Sequence, residues 1–146
     1  MSIRRKDVIM RPPPAGGGDI LCSVDAHNNQ NAKSIGNNTY ATYQVLANGG
    51  TVVSQSVTIT QNCLLVIVAV VTKWYEWTAW NIERGGVDKT QGRQQSALDG
   101  GQLGTLLLWA TERITTAGTY TYSLVNRTGQ EQYWTATNIK IYAIKN

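Results

Sequence analysis

His27 is the only histidine in the chain, so any nucleophile, base and acid constellation has to be built on it. Ser23, Asp25 and His27 supply the three residue types at alternate positions. That spacing strings them along one face of a single strand end, whereas a triad draws residues from separate elements to one point. Glu76, Glu83, Asp88 and Asp99 are carboxylates that glycoside cleavage could recruit in pairs, and Trp74, Trp77 and Trp80 would suit stacking on sugar rings. Nothing in the pattern around these carboxylates sets one apart as a proton donor. Cys22 and Cys63 are 41 positions apart and, with His27, offer too few nitrogen and sulfur ligands for zinc. The pairs Gly85-Gly86 and Gly100-Gly101 are not followed by Lys-Ser or Lys-Thr at a helix start, so they read as turns rather than phosphate cradles. The expectation is a protein with no catalytic set, no metal site and no cofactor, and therefore not an enzyme.

The remaining chemistry is that of contact. Trp74 and Trp80 share one phase of a strand and Trp77 the other, so one of the two sets faces outward or across an interface. Trp and Tyr are the residues that interfaces enrich. Trp74, Trp77 and Trp80, with Arg84 and Arg93 further along, are the candidate interface or ligand surface. A second candidate is the N-terminal arm. Arg4, Arg5, Lys6 and Arg11 stand against Asp7 alone, which places a net +3 of the chain's +4 in its first eleven residues. Such a cluster can touch phosphate or a neighbouring subunit through weak, salt-sensitive contacts.

The elements that position these residues follow from periodicity. At 146 residues the chain is one domain's worth, long enough to bury a core without a disulfide or metal. Charged residues make up only 15% of it and hydrophobic residues 42%, against about 25% charged in an ordinary soluble domain. Its surface is accordingly neutral, covered by Thr, Asn, Gln, Ser and Gly, as suits a protein with many neighbours. Residues 1–18 form a basic arm and a linker, in which Pro12 to Pro14 favour an extended rod and Gly16 to Gly18 a hinge. The folded domain is 19–146. No secretion-signal core precedes it, which predicts a chain that stays in the compartment where it is made, with two reduced, core-packed cysteines as the default and a Cys22–Cys63 disulfide as the alternative. Leu64 to Val71 is too short an apolar run to span a membrane, and reads as a strand buried on both faces.

Strands are predicted at Ile20 to Asp25, Tyr40 to Leu46, Thr51 to Thr60, Leu64 to Thr72, Trp74 to Glu83 and Leu106 to Thr111, with a closing pair in Ile114 to Asn146. Asn48-Gly49-Gly50 predicts a hairpin turn. Val53, Gln55, Val57 and Ile59 fall on one face of their strand, and Tyr120, Tyr122 and Leu124 on one face of another. His27 to Asn38 reads as a loop, and Arg84 to Gly104 as a long loop or a pair of short edge strands. About eight strands and no helix predict an all-β fold, an antiparallel β-sandwich of the jelly-roll kind with an extended N-terminal arm.

Six pieces in succession carry a resemblance: the Gly-Gly-Thr hairpin at Gly49 to Thr51, an alternating Val-Thr-Ile strand, an apolar central strand, the Ile82 to Gly86 turn, the Ala117 to Tyr122 strand and the terminal Asn138 to Ile144 strand. Their order resembles the jelly-roll modules of virion proteins, among them single jelly-roll capsid proteins, turret or spike domains and tail-fibre heads. Gly118-x-Tyr120-x-Tyr122 is also similar to a strand of the C1q and tumour necrosis factor group, although this chain has no phenylalanine. The resemblance implies a viral structural protein in the virion, made in host cytoplasm. It would assemble as a homo-oligomer with other virion proteins, and its arm would touch subunits or, weakly, nucleic acid. The alternative it implies is a trimeric fibre head or lectin-like module that binds a glycan or receptor.

Overall fold

The computed structural model describes residues 18–29, 32–35, 38–41, 44–46, 49–73, 80–95, 104–127, 129 and 132–146. Among them are twelve strands and no helix: β1 (Ile20–Asn29), β2 (Ala32–Ile35), β3 (Asn38–Ala41), β4 (Gln44–Leu46), β5 (Thr51–Ile59), β6 (Cys63–Lys73), β7 (Trp80–Arg84), β8 (Val87–Asp88), β9 (Gly92–Gln95), β10 (Gly104–Ile114), β11 (Gly118–Asn126) and β12 (Gln132–Lys145). One sheet runs β1-β12-β6-β10-β9, with β4 also on β12; the other runs β5-β11-β7-β8; β2 and β3 pair separately. The two larger sheets pack face to face as a sandwich.

The pairing is nested. β1 pairs with β12, β5 with β11, β6 with β10 and β7 with β8, all antiparallel. The chain is thus one long antiparallel ribbon, doubled back at the β7–β8 turn and rolled so that successive pairs fall in alternate sheets. This is the jelly roll, and it is the fold that the strand pattern predicts. The tip of the ribbon is Gly85-Gly86, with φ of 59° and 78°, left-handed values that suit a two-residue hairpin and that only glycine adopts cheaply.

The core is built by alternation. Cys63, Leu65, Ile67, Ala69 and Val71 of β6, Leu106, Leu108 and Ala110 of β10, and Ile139, Ile141 and Ala143 of β12 face Val57, Ile82, Trp80, Tyr122 and Leu124 of the other sheet. The residues expected to share one face of β5 and of β11 do so, and that face is the inward one, with an irregularity at Leu124/Val125 that turns Val52 inward beside Val53.

Several expectations are corrected. Asn48-Gly49-Gly50 does not close a hairpin, because β4 pairs with β12 and β5 with β11, in different sheets; Gly49 and Gly50 bond instead to both backbone groups of Asn126. The closing strands β11 and β12 likewise lie in opposite sheets rather than paired. The loop expected over 27–38 contains the end of β1 and all of β2. Arg84 to Gly104 does hold two short edge strands, β8 and β9. β6 is not buried on both faces: Leu64, Val66, Val68 and Val70 are half-exposed on its outer side. Of the predicted strand over 74–83, only 80–83 falls within the described residues, as does the arm only at Gly18.

Both cysteines are free thiols. They lie on β1 and β6 with β12 between, so two strand spacings, about 9–10 Å, separate them. That exceeds the reach of a disulfide, about 7 Å between Cα atoms. Burial, together with the nearby Cys22, pushes the Cys63 thiol pKa up.

Candidate functional site

The outer face of the β1-β12-β6-β10-β9 sheet is apolar at its centre. Register places Lys140, Val68, Trp109 and Gly92 side by side across four strands, with Asn138, Val70, Leu107 and Gln94 in the next row and Tyr142, Val66 and Thr111 in the row on the other side. Trp109 is 38% exposed, among the most exposed of the large hydrophobics. Its indole lies against the backbone of Gly92, where an added Cβ would fall 2.0 Å from Cζ2. Lys140 Nζ sits 5.1 Å from the Tyr142 ring centroid, so its stem covers the apolar surface while its charge remains at the rim. The β1 border is polar: Asp25 Oδ2 is 2.7 Å from His27 Nε2, and Asn138 Nδ2 is 3.1 Å from His27 Nδ1. From strand and row spacings, this face spans on the order of 500 Å². That area includes the polar border; its apolar part centres on Val66, Val68 and Val70 of β6 and Leu107 and Trp109 of β10.

The contact residues named from sequence distribute unevenly. Arg4, Arg5, Lys6, Arg11, Trp74 and Trp77 lie outside the described residues. Trp80 is 0% exposed and belongs to the core, so it is corrected from surface to interior; its strand phase is the inward one, shared with Ile82. Arg84 shares that inward phase and bridges the sheets. Its Nε donates to Glu112 Oε2 at 3.0 Å and its Nη2 to Oε1, while its guanidinium lies 5.4 Å from the Tyr120 ring centroid. Tyr122 Oη donates to the same carboxylate at 2.6 Å and Lys89 Nζ lies 3.4 Å from it. The Arg84 hydrogen bond, above all, holds the Glu112 carboxyl down to about 2 from 4.5. Burial and the Glu112 carboxylate push the Tyr122 phenol well up. Arg93 is also structural, with Nε donating to Trp80 O at 3.0 Å and Nη2 to Asn81 Oδ1 at 2.6 Å.

Of the residues weighed for catalysis, Glu76 and Asp99 lie outside the described residues, and the others do not assemble into a catalytic set. Asp25 stands between His27 and Ser23 along one strand face, about 13 Å separating the outer two α-carbons, so imidazole and hydroxyl do not meet. Both oxygens of the nearly buried Glu83 carboxylate accept from Arg127, at 2.7 and 2.9 Å, and Asp88 Oδ1 accepts from the Thr90 amide at 2.9 Å. Among the described residues, no three His, Cys, Asp or Glu side chains converge as metal ligands.

A second feature lies on the outer side of the four-stranded sheet. Glu83, Arg127, Thr51, Ser123 and the glycines Gly49, Gly85 and Gly86 line a cleft of about 230 Å³. Its two opposite charges are paired with each other, so it presents hydroxyls, backbone groups and the outward edge of a guanidinium. The pairing is invisible in sequence, since Glu83 and Arg127 are 44 positions apart. The Trp109 face was within reach of sequence reasoning: the odd-numbered phase of Leu107 and Trp109, beside the apolar even phase of β6, signals an outer apolar stripe. Comparison of the chain with protein-family models, with curated proteins and with solved structures returned no match.

Proposed function

We propose that this protein is a structural subunit of a virion, which self-assembles into a capsid or a capsid-surface structure and performs no chemistry. The observation that carries the reading is the apolar outer face around Trp109. Two copies joined through it would bury on the order of 1,000 Å², the lower bound for a specific interface. The low charge of the domain favours such packing, since many copies can approach without mutual repulsion. The jelly-roll order and the resemblance to virion modules support the same reading. The arm adds subunit or nucleic-acid contact through Arg4, Arg5, Lys6 and Arg11.

Light scattering of the full-length chain, at low and at physiological salt, tests it. Large assemblies are expected, reduced by Val68→Lys, which places a charge at the centre of the face without touching the core. A monomer at all concentrations, or assemblies indifferent to Val68→Lys, overturns the face as the contact. Assemblies that dissolve on raising salt assign the contact to the arm instead. The 230 Å³ cleft favours a second reading, a glycan- or receptor-binding module such as a trimeric fibre head. Titration calorimetry with neutral sugars, on the native chain and on Arg127→Met, would detect that binding and its loss.

A further inference from the structure

A sheet edge with open backbone groups invites pairing with another chain, and proteins guard such edges by shortness, charge, bulges or covering groups. Of the four edges of the two larger sheets, three are guarded along their length among the described residues. On the far side of β7, beyond the two residues of β8, Thr90 Oγ1 accepts from Ile82 N (2.8 Å), Lys89 N donates to Ile82 O (2.8 Å) and Arg93 Nε donates to Trp80 O (3.0 Å). β9 has only four residues. β1 carries Asp25 and His27 on its outer face and a register irregularity between Ile20 and Cys22. The fourth edge is β5, whose register irregularity is confined to its start at Val52, and from Val53 to Ile59, VSQSVTI, it has no charge, no proline and no glycine.

The backbone groups that face this edge follow from alternation. Ile82 directs its N–H and C=O away from β11, so its neighbour Glu83 directs them toward β11, opposite Ser123. Tyr120, Tyr122 and Leu124 must then bond to β5, using Val57, Gln55 and Val53. The amides and carbonyls of Ser54, Ser56 and Thr58 point outward. Gln55 Nε2 donates to Ser56 O at 2.9 Å, a side chain standing where a further strand's amide would sit. On the solvent face the same residues form a hydroxyl ladder with β11: Ser54 to Ser123 at 2.7 Å, Ser56 to Thr121 at 2.7 Å and Thr58 to Thr119 at 3.1 Å.

The segment is self-complementary. About a two-fold axis at Ser56, an antiparallel copy places Ser56 opposite Ser56, Ser54 opposite Thr58, Gln55 opposite Val57 and Val53 opposite Ile59, so hydroxyl meets hydroxyl on the outer face, and on the inner one Val53 meets Ile59 while Gln55 lies beside Val57. We propose that β5 is the site at which two copies join edge to edge, extending the four-stranded sheet into one of eight and continuing the ladder. The partner's Ser56 amide replaces the Gln55 amide at the Ser56 carbonyl. The inference deepens the self-assembly reading, and rests on it only in that the partner is a second copy.

Oxidative crosslinking of single-cysteine additions to the full chain tests it, with the native chain as background. Opposed residues of such a pair lie about 5.5 Å apart between Cα atoms, within disulfide range. Ser56→Cys is expected to crosslink most chains as dimers. Thr121→Cys, one strand inside and about 15 Å from its counterpart, is expected not to. Ser54→Cys alone should stay uncrosslinked, yet crosslink to Thr58→Cys in a mixture. Ser56→Lys, exposed and therefore tolerated by the fold, should raise the dimer dissociation constant at least about tenfold by opposing like charges. No excess of Ser56→Cys dimers over background, equal crosslinking of Thr121→Cys, or indifference to Ser56→Lys overturns the edge contact. Crosslinking at Ser56 in a chain whose mass ignores Val68→Lys would remove the Trp109 face and leave the edge.

Discussion

Replacing Glu112 by Gln should remove the main polar tie between the sheets. The carboxylate is 16% exposed and takes a two-pronged contact from Arg84, a bond from Tyr122 Oη and the charge of Lys89. Its carboxyl is held at about 2 against 4.5, a displacement worth about 3 kcal/mol of folding stability. The amide of Gln keeps an acceptor for Tyr122 but leaves Arg84, which is 34% exposed, without its counter-charge, a loss that solvent screening holds below the cost of breaking a fully buried pair. Because the folded-state value is depressed, the contribution is complete above pH 4.5 and is lost as pH falls toward 2. Urea denaturation of the native chain and Glu112→Gln at pH 7, 4 and 2.5, under dilution to monomers, reads both features. The expected outcome is a gap of about 3 kcal/mol at pH 7 that narrows steadily below pH 4.5. A gap below about 0.5 kcal/mol at pH 7, the scale of an exposed pair, or one that does not change with pH, would refute the tie. A double-mutant cycle with Arg84→Met should return most of the loss as coupling between the two residues.

Gly92→Val should push the Trp109 indole off β9, costing about 1–3 kcal/mol by overpacking and changing the near-ultraviolet circular dichroism; an unaltered spectrum would contradict the stacking. Gly85→Val, at φ of 59°, should cost about 1–2 kcal/mol and, as the tip of the nested ribbon, slow refolding in stopped-flow more than it speeds unfolding. Cys63, buried and with its thiol pKa raised, should resist a thiol reagent in the native state and react in urea, while Cys22 reacts without denaturant. Both should remain reduced under mild oxidation, and a native intramolecular disulfide would refute their separation by β12.

Strand identity and facing were legible in the sequence because side chains alternate with a period of two, a property each strand carries alone. Tyr120, Tyr122 and Leu124 face inward, as do Ile139, Ile141 and Ala143, and Gly85-Gly86 turns the chain, as their types and spacing dictate. Strand partners were not legible, since pairing is settled by contacts distant in sequence: Gly49 turns toward β11 rather than closing a hairpin, and neighbours in the chain end in opposite sheets. The same holds for charge. Glu83 and Arg84 adjoin in sequence yet face opposite sides of β7, one bonded outward to Arg127 and the other inward to Glu112, 28 positions away. Periodicity determines which side of its own strand a residue occupies, and with it the all-β class. Only the tertiary packing decides which of the two sides is covered, because covering depends on the second sheet; it enclosed Trp80 and left Trp109 on the outside.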